Sequence, residues 1–364
     1  MNKLRAAILG TGGIANAHAE AILAERDRVV LVAACDVDAN RVNAFADKYH
    51  VPQRFTDLDQ MLASVSPDLV HLCTPPTQHS DQAIACMRHG AHVWCEKPLV
   101  GSLAEFDRVS AVEAETGKWT AVVLQWRFGA MGKHIYQLIN SGELGRPLVG
   151  VCNTLWYRAP SYYAVNWRGR WDNERGGVTL GHGIHLMDLF LWLYGEWSDV
   201  RAAASVLDHQ IEIDDVSMAI VRFENGAMGS IVNSVVSPRQ ETYLRLDFQR
   251  AAVEVTALYH YENANWRFST FEDSPFADSL TRWQLPSDTM RSGHYAAYRD
   301  LLDRLSAGEH PATTGAESRR ILEFVTALYK SAFTGDIVQR GSIIPGDPFY
   351  TALNGDGRRF TGSA

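Results

Sequence analysis

The sequence predicts an α/β chain of two domains: a doubly wound parallel sheet over residues 1–126, then an α+β domain with a large, mostly antiparallel open sheet over residues 127–364. Three observations carry this. Up to Trp126 short apolar runs alternate with helix-length segments, and the first run ends in a glycine turn that opens a helix, LGTGGIANAHAEAI. Beyond Arg127 the apolar residues recur with period two, as in VSMAIVRFE, AMGSIVNSVVS and TYLRLDFQ. The length of 364 residues exceeds what one hydrophobic core usually holds, so two domains are expected on size alone.

In the first domain the candidate strands are AAILG, VVLVAACD, DLVHLCT, AHVWCE and WTAVVL. Between them ANAHAEAILAE, ANRVNAFADKY, TQHSDQAIACMRHG and LAEFDRVSAVEAETG each suit a helix of about three turns. The strand runs are nearly continuous in apolar character, as parallel strands covered on both faces are. In the second domain a helix is expected from Val178 to Tyr194, and the hairpin turn Glu224-Asn225-Gly226 joins antiparallel strands. Further helices are expected over 294–307 and 316–333, with an irregular tail after Pro345.

The composition is that of an ordinary globular protein, with 46% apolar and 21% charged residues. A net charge of −8 without a basic run argues against nucleic acid and anionic membrane as partners. No apolar stretch reaches the roughly 20 residues of a bilayer crossing. The five cysteines, Cys35, Cys73, Cys86, Cys95 and Cys152, show no CxxC spacing and read as reduced core residues of a cytoplasmic protein. The outward positions of the second sheet are small or apolar as well, so a second subunit is expected to cover that face in a homodimer or homotetramer.

Gly10, Gly12 and Ala15 stand at GxGxxA spacing directly after a strand. Gly10 gives the tight turn and Gly12 lets backbone approach a pyrophosphate, which the following helix N-terminus receives, with Gly13 and Ile14 at the same turn. The second strand ends in Asp36, where a carboxylate takes the ribose hydroxyls and repels a 2′-phosphate. NAD is therefore expected in preference to NADP. Val37 and Arg41 lie beside it, and Asp38 is expected to cap the next helix.

These motifs, with CTPPTQHSDQAIACMRHGAHVWCEKPL and GGVTLGHGIHLMD, resemble the glucose-fructose oxidoreductase, inositol dehydrogenase and MocA (Gfo/Idh/MocA) family of NAD(P)-dependent sugar and polyol dehydrogenases. The resemblance implies that Lys97 of the Glu96-Lys97-Pro98 motif reaches both nicotinamide ribose and substrate hydroxyl, with a cis Lys97–Pro98 bond. It also implies that Thr74, Pro75, Pro76, His79 and Gln125 pass along the cofactor. The family's second catalytic element is a helix with Asp or Asn four residues before His; here His185 is kept and Gly181 replaces the first member.

His185 is accordingly expected to be the base and Lys97 the donor that positions the hydroxyl, since imidazole titrates near 6.5 and Lys near 10.4 when unperturbed. Asp188 shares the face of His185 and is a candidate to orient it. A metal triad of His182, His185 and Asp188 is the rival reading, and no metal is expected. The aromatic and arginine-rich loop LWYRAPSYYAVNWRGRWDNERGG suits a polyhydroxylated ligand, with Arg127, Tyr163, Trp167, Arg168 and His182 as substrate contacts. The expected activity is NAD-dependent oxidation or reduction of a secondary hydroxyl of a sugar, glycoside or cyclic polyol. The alternatives are an NAD-dependent glycoside hydrolase working by transient C3 oxidation and a non-catalytic NAD-responsive binder.

Overall fold

A computed structural model describes residues 3–165 and 167–360. The chain forms two compact units, Met1–Val123 with Ala297–Arg320 and Leu124–Ala296 with Ile321–Ala364. A division at residue 126 alone leaves out the returning 297–320 segment. Within the first unit Tyr298 explains that return: its ring stacks on Trp94 at 5.0 Å and meets His71 edge-on at 5.0 Å.

The first unit holds a six-stranded sheet: β1 (Leu4–Leu9), β2 (Val29–Cys35), β3 (Gln53–Phe55), β4 (Leu69–Leu72), β5 (His92–Cys95) and β6 (Thr120–Val122). The order is β3-β2-β1-β4-β5-β6, all parallel. All four residues of β4 and the last five of β2 are buried, so both faces of the sheet are covered. The helices α1 (Ala15–Ala24), α2 (Ala39–Tyr49), α3 (Leu58–Val65), α4 (Pro76–Arg88) and α5 (Leu103–Thr116) connect the strands. Asp38 caps α2 as expected, accepting from the amides of Asn40 and Arg41. β3 was not foreseen: its three residues, Gln-Arg-Phe, form an edge strand with little buried surface and no apolar run.

The second unit holds an eight-stranded sheet of β7 (Pro147–Tyr157), β8 (Trp197–Ser205), β9 (Val216–Phe223), β10 (Met228–Ser234), β11 (Val236–Phe248), β12 (Ala252–Ala257), β13 (Trp266–Ser269) and β14 (Val338–Gln339). The order is β13-β12-β11-β7-β10-β9-β8-β14, antiparallel except for the β7–β10 pair. The β9–β10 hairpin turns at Gly226, whose φ of +87° is left-handed and suits glycine. On the buried face Gly150 of β7 and Gly229 of β10 admit the Phe190 ring, which an added Cβ at either would approach to 2.5 Å or less. The helix Ile184–Tyr194 that carries Phe190 is thereby seated on the sheet. The opposite face exposes Val149, Met218, Ile220 and Met228, each about half accessible.

The long expected helix over 178–194 is in fact a π turn, Thr179–Gly183, followed by the α-helix Ile184–Tyr194. The segment Leu155–Tyr157, read as loop, ends strand β7. The tail beyond Pro345 contains one short helix, Pro348–Thr351. All five cysteines are buried and unpaired. Burial raises the thiol pKa of each, that of Cys35 to about 12. No helix among the described residues is long and apolar enough to cross a membrane.

Candidate active site

The carboxyl ends of β2, β1, β4 and β5 meet on one ladder row. Gly10 donates to the Cys35 carbonyl (2.8 Å), Cys73 to that of Leu9 (2.8 Å) and Glu96 to that of Leu72 (2.9 Å). The paired row Cys35, Leu9, Leu72 and Cys95 is followed by Asp36, Gly10, Cys73 and Glu96, set about 4.8 Å apart, strand by strand, over roughly 14 Å, and Lys97 stands one residue beyond. Strand order reverses between β1 and β4, the switch point at which open α/β sheets take ligands.

The glycine turn fits a dinucleotide at this edge. Gly10 has φ +85°, and a Cβ there would lie 2.8 Å from the Cys73 carbonyl carbon, so only glycine lets the ends of β1 and β4 close up. An added Cβ at Gly12 or Gly13 would meet nothing within 4 Å, leaving open space for a phosphate against backbone. Ile14 is 38% exposed at the head of α1 and Val37 is 91% exposed past β2. Asp36 is buried and fixed: one oxygen accepts from the Thr11 amide (2.8 Å) and hydroxyl (3.1 Å), the other from the Asp38 amide (3.0 Å). Arg41 reaches Asp36 at 3.5 Å and Asp38 at 3.6 Å.

The Lys97–Pro98 bond is cis, as the resemblance implied. His79 is fully buried beneath it, with Nδ1 2.7 Å from the Pro98 carbonyl and Nε2 2.8 Å from the Thr74 carbonyl. It thus ties the end of β4 to the segment after β5. Burial lowers its pKa, against the pull of the two carbonyls. Thr74, Pro75 and Pro76 are half-buried at the start of α4, where Pro76 occupies the first turn and Thr74 donates to Gln82 (2.5 Å).

Glu96 does not lie open at the surface. Its Oε2 accepts from the Lys97 amide at 3.3 Å, and its Oε1 lies 3.1 Å from His18 Nε2. His18 Nδ1 in turn lies 3.1 Å from His71 Nδ1, and all three side chains are buried. Burial, and then the neighbouring His18, hold the His71 imidazole well below its ordinary pKa, so it is neutral. A consistent tautomer set has His18 donating to Glu96 and accepting from His71, which leaves a lone pair at His71 Nε2. That atom has no partner among the described residues, a smaller penalty for a lone pair than for an orphaned N–H. This buried His-His-Glu chain was missed in the sequence. Its members lie on three separate elements and the histidines carry no motif.

In the second unit His182 lies in the π turn and His185 in the first turn of the following helix, both half-buried. Such π turns recur at functional sites. Asp214, fully buried, anchors the segment: it accepts from the amides of Gly177 (2.9 Å) and Thr179 (3.0 Å) and the hydroxyls of Thr179 (2.6 Å) and Tyr329 (2.7 Å). Gly183 packs against Asn233, whose Oδ1 an added Cβ would approach to 2.2 Å. At Gly181, by contrast, a Cβ would meet no atom of the described residues within 4 Å.

Arg127, expected at the substrate, is 3% exposed and its Nε and Nη2 both donate to the buried carboxylate of Asp188, the first at 2.6 Å. Asp188 therefore carries a bidentate ion pair, which sets it apart from an open metal ligand. Gln125 Nε2 reaches the Tyr259 carbonyl at 3.4 Å. In the loop, His182 meets Trp156 edge-on at 5.1 Å and Tyr162 at 6.0 Å. Tyr163 lies against His209 at 4.8 Å, and Arg168 covers the rings of Tyr162 (3.6 Å) and Trp167 (4.7 Å). Asp215 organises the other wall, accepting from the amides of Leu207, Asp208 and His209.

A glycine-cornered turn at the switch point of a parallel sheet, with a fixed carboxylate on the adjacent strand end, defines an NAD-binding oxidoreductase. Residues 4–124 match the model of the oxidoreductase family with an NAD-binding Rossmann fold, and residues 133–257 match the GFO/IDH/MocA C-terminal domain. The chain belongs to the Gfo/Idh/MocA family of oxidoreductases. It is 32% identical over 239 residues to myo-inositol 2-dehydrogenase of Thermotoga maritima, covering 64% of this chain and 68% of that one. It is 23% identical to D-apiose dehydrogenase of Paraburkholderia graminis over 97% of this chain and 94% of that one. Among solved structures it is similar to the WlbA dehydrogenase of Bordetella pertussis in complex with NADH and UDP-GlcNAcA. That match has a TM-score of 0.82 and 29% identity, covering 93% of this chain and 99% of that one.

Proposed function

We propose that this protein transfers hydride between NAD and a secondary hydroxyl of a sugar, glycoside or cyclic polyol, with Lys97 and His185 acting on that hydroxyl. The observation that carries the reading is the ladder row: Asp36, Gly10 and Glu96 share one strand-end row, and Lys97, one residue beyond it, stands about a dinucleotide's reach from the Asp36 carboxylate. The relatives named dehydrogenases of inositol and apiose support the substrate class.

When bound, the nicotinamide supplies the hydride acceptor or donor. Gly10, Gly12, Gly13 and Ile14 would hold its pyrophosphate, Asp36 its adenosine ribose, and Thr74, Pro75, Pro76 and Lys97 the nicotinamide side. His79 clamps the backbone on which those residues stand. Lys97 donates a hydrogen bond to the reacting oxygen, and His185 takes the hydroxyl proton as hydride leaves the carbon. Gly181 leaves room one turn before His185 that an Asp or Asn would fill, space suited to a substituent on the substrate. The test is NADH absorbance with a panel of monosaccharides, inositols and glycosides; a panel that reduces no NAD, on protein shown to bind NAD, ends the reading.

Asp36 makes NAD the preferred cofactor. Asp36→Ser together with Val37→Arg is expected to shift the NAD to NADP ratio of kcat/KM toward NADP by roughly tenfold or more, the weight of one charge-assisted hydrogen bond gained and one repulsion removed. An unchanged ratio would sink the assignment. The exposed face of the second sheet, with Val149, Met218, Ile220 and Met228, fits burial against a second copy in a homodimer or homotetramer. Light scattering reads this, a monomer at working concentration being the adverse result. A cytoplasmic location is the setting in which buried, reduced cysteines are the rule.

A further inference from the structure

Two arginines of the second unit, Arg158 and Arg168, converge on one aromatic side chain. Arg168 lies 3.6 Å over the Tyr162 ring and Arg158 lies 5.3 Å from the same ring, so two guanidinium groups share one aromatic side chain. Neither makes an ion pair among the described residues. Arg158 Nη1 bonds only a backbone carbonyl, that of Tyr157 (3.0 Å), and the Tyr259 hydroxyl (3.4 Å). Arg168 Nη1 is buried and has no hydrogen-bond partner among the described residues. Glu174, whose field reaches Arg168, spends one oxygen on the Gly169 amide at 2.6 Å.

A buried guanidinium N–H left unpaired beside a second cation is unfavourable on both counts, and native proteins keep such groups where a ligand completes them. Desolvation weakens the hold of Arg168 on its charge, Glu174 opposes that, and Arg158 adds a smaller push in the same direction as desolvation. Arg168 and Tyr163 also line a cavity of about 630 Å3 with Arg170, His209, Gln210 and Glu212. That volume falls within the roughly 300–1,000 Å3 typical of small-molecule sites. The wall's one carboxylate, Glu212, is 3.4 Å from Arg359 and so partly neutralised. Tyr162 reaches His182 at 6.0 Å, which puts the arginine pair within one side chain of the proposed catalytic helix.

We propose that Arg158 and Arg168 form an anion-recognition site, so that the substrate taken by the dehydrogenase site of the preceding section carries a carboxylate or phosphate group. A planar guanidinium with a vacant N–H fork matches either oxyanion. The inference rests on the sugar dehydrogenase reading and narrows it from neutral polyols to acidic or phosphorylated sugars.

The test is calorimetry on the full chain saturated with NAD. D-Glucose, methyl glucoside and UDP-glucose are set against D-glucuronate, D-glucose 6-phosphate and UDP-glucuronate, and NADH absorbance is followed in parallel. At least one anionic compound is expected to bind about tenfold or more tightly than its less charged counterpart, as a charge-assisted hydrogen bond allows. Its affinity should fall with added salt, and Arg168→Gln should remove most of the advantage, with Arg168→Lys restoring part of it. Which compound binds tells carboxylate from phosphate. Equal or weaker binding by every anionic member overturns the proposal, and so does failure of all of them to bind. The salt and charge comparisons use the unaltered chain, so a loop disturbed by substitution does not blur the result. Neutral compounds reducing NAD as well as charged ones would overturn the anion site and leave the dehydrogenase reading standing. Selective anion binding without any NAD reduction would do the reverse.

Discussion

Lys97→Met is expected to lower kcat for hydride transfer by roughly 10²–10⁴, the range over which a positioned proton donor or acceptor acts. NAD affinity should stay within a few-fold, because the glycine turn and Asp36 lie on other strands. Methionine keeps the length and most of the apolar stem of lysine and deletes the ammonium, so the loss is chemical. The backbone at this point is held independently: the Lys97 amide bonds Glu96, Glu96 faces His18, and His79 holds the Pro98 carbonyl. A rate within tenfold of the unaltered protein, measured as NADH formed per second at saturating substrate, would remove Lys97 from the reaction.

Asp188→Ala should cost about 3–5 kcal/mol of stability, the penalty for leaving a buried charge without its partner. Asp188 and Arg127 are 1% and 3% exposed, and the carboxylate takes two N–H groups from one guanidinium. Replacing both, as Arg127→Met with Asp188→Leu, is expected to recover most of that loss, since an apolar pair of similar volume fills the space without the desolvation cost. Urea unfolding of the two single variants and the double variant gives the coupling directly. The alternative role for Arg127, direct contact with substrate, makes a different pattern. Arg127→Met would then leave the urea midpoint nearly unchanged and raise KM.

Legibility followed the range of the interactions involved. The first sheet was readable because its central strands are buried on both faces and therefore nearly continuous in apolar character, and because Gly10 answers to a local geometric demand. The strand Gln53–Phe55 was not, since an edge strand of polar residues leaves no pattern. The histidine helix was legible as a helix and illegible as a π turn. What fixes its start is Asp214, some 35 residues further along, together with Asn233 pressed against Gly183. Arg127 looked like a ligand contact by residue type, and only the fold reveals Asp188 facing it. The resemblance named Lys97 and His185 together; their roles rest on kinetics.

The five buried thiols have a practical consequence. To a maleimide or iodoacetamide reagent the folded chain should behave as though it had no cysteine, because each thiol is both occluded and held protonated. A single cysteine introduced at Val37, 91% exposed beside Asp36, would then label alone against a blank background. Its protection by added NAD would serve as an optical occupancy gauge that needs no substrate, and the sudden appearance of five further reactive thiols would time the chain's unfolding.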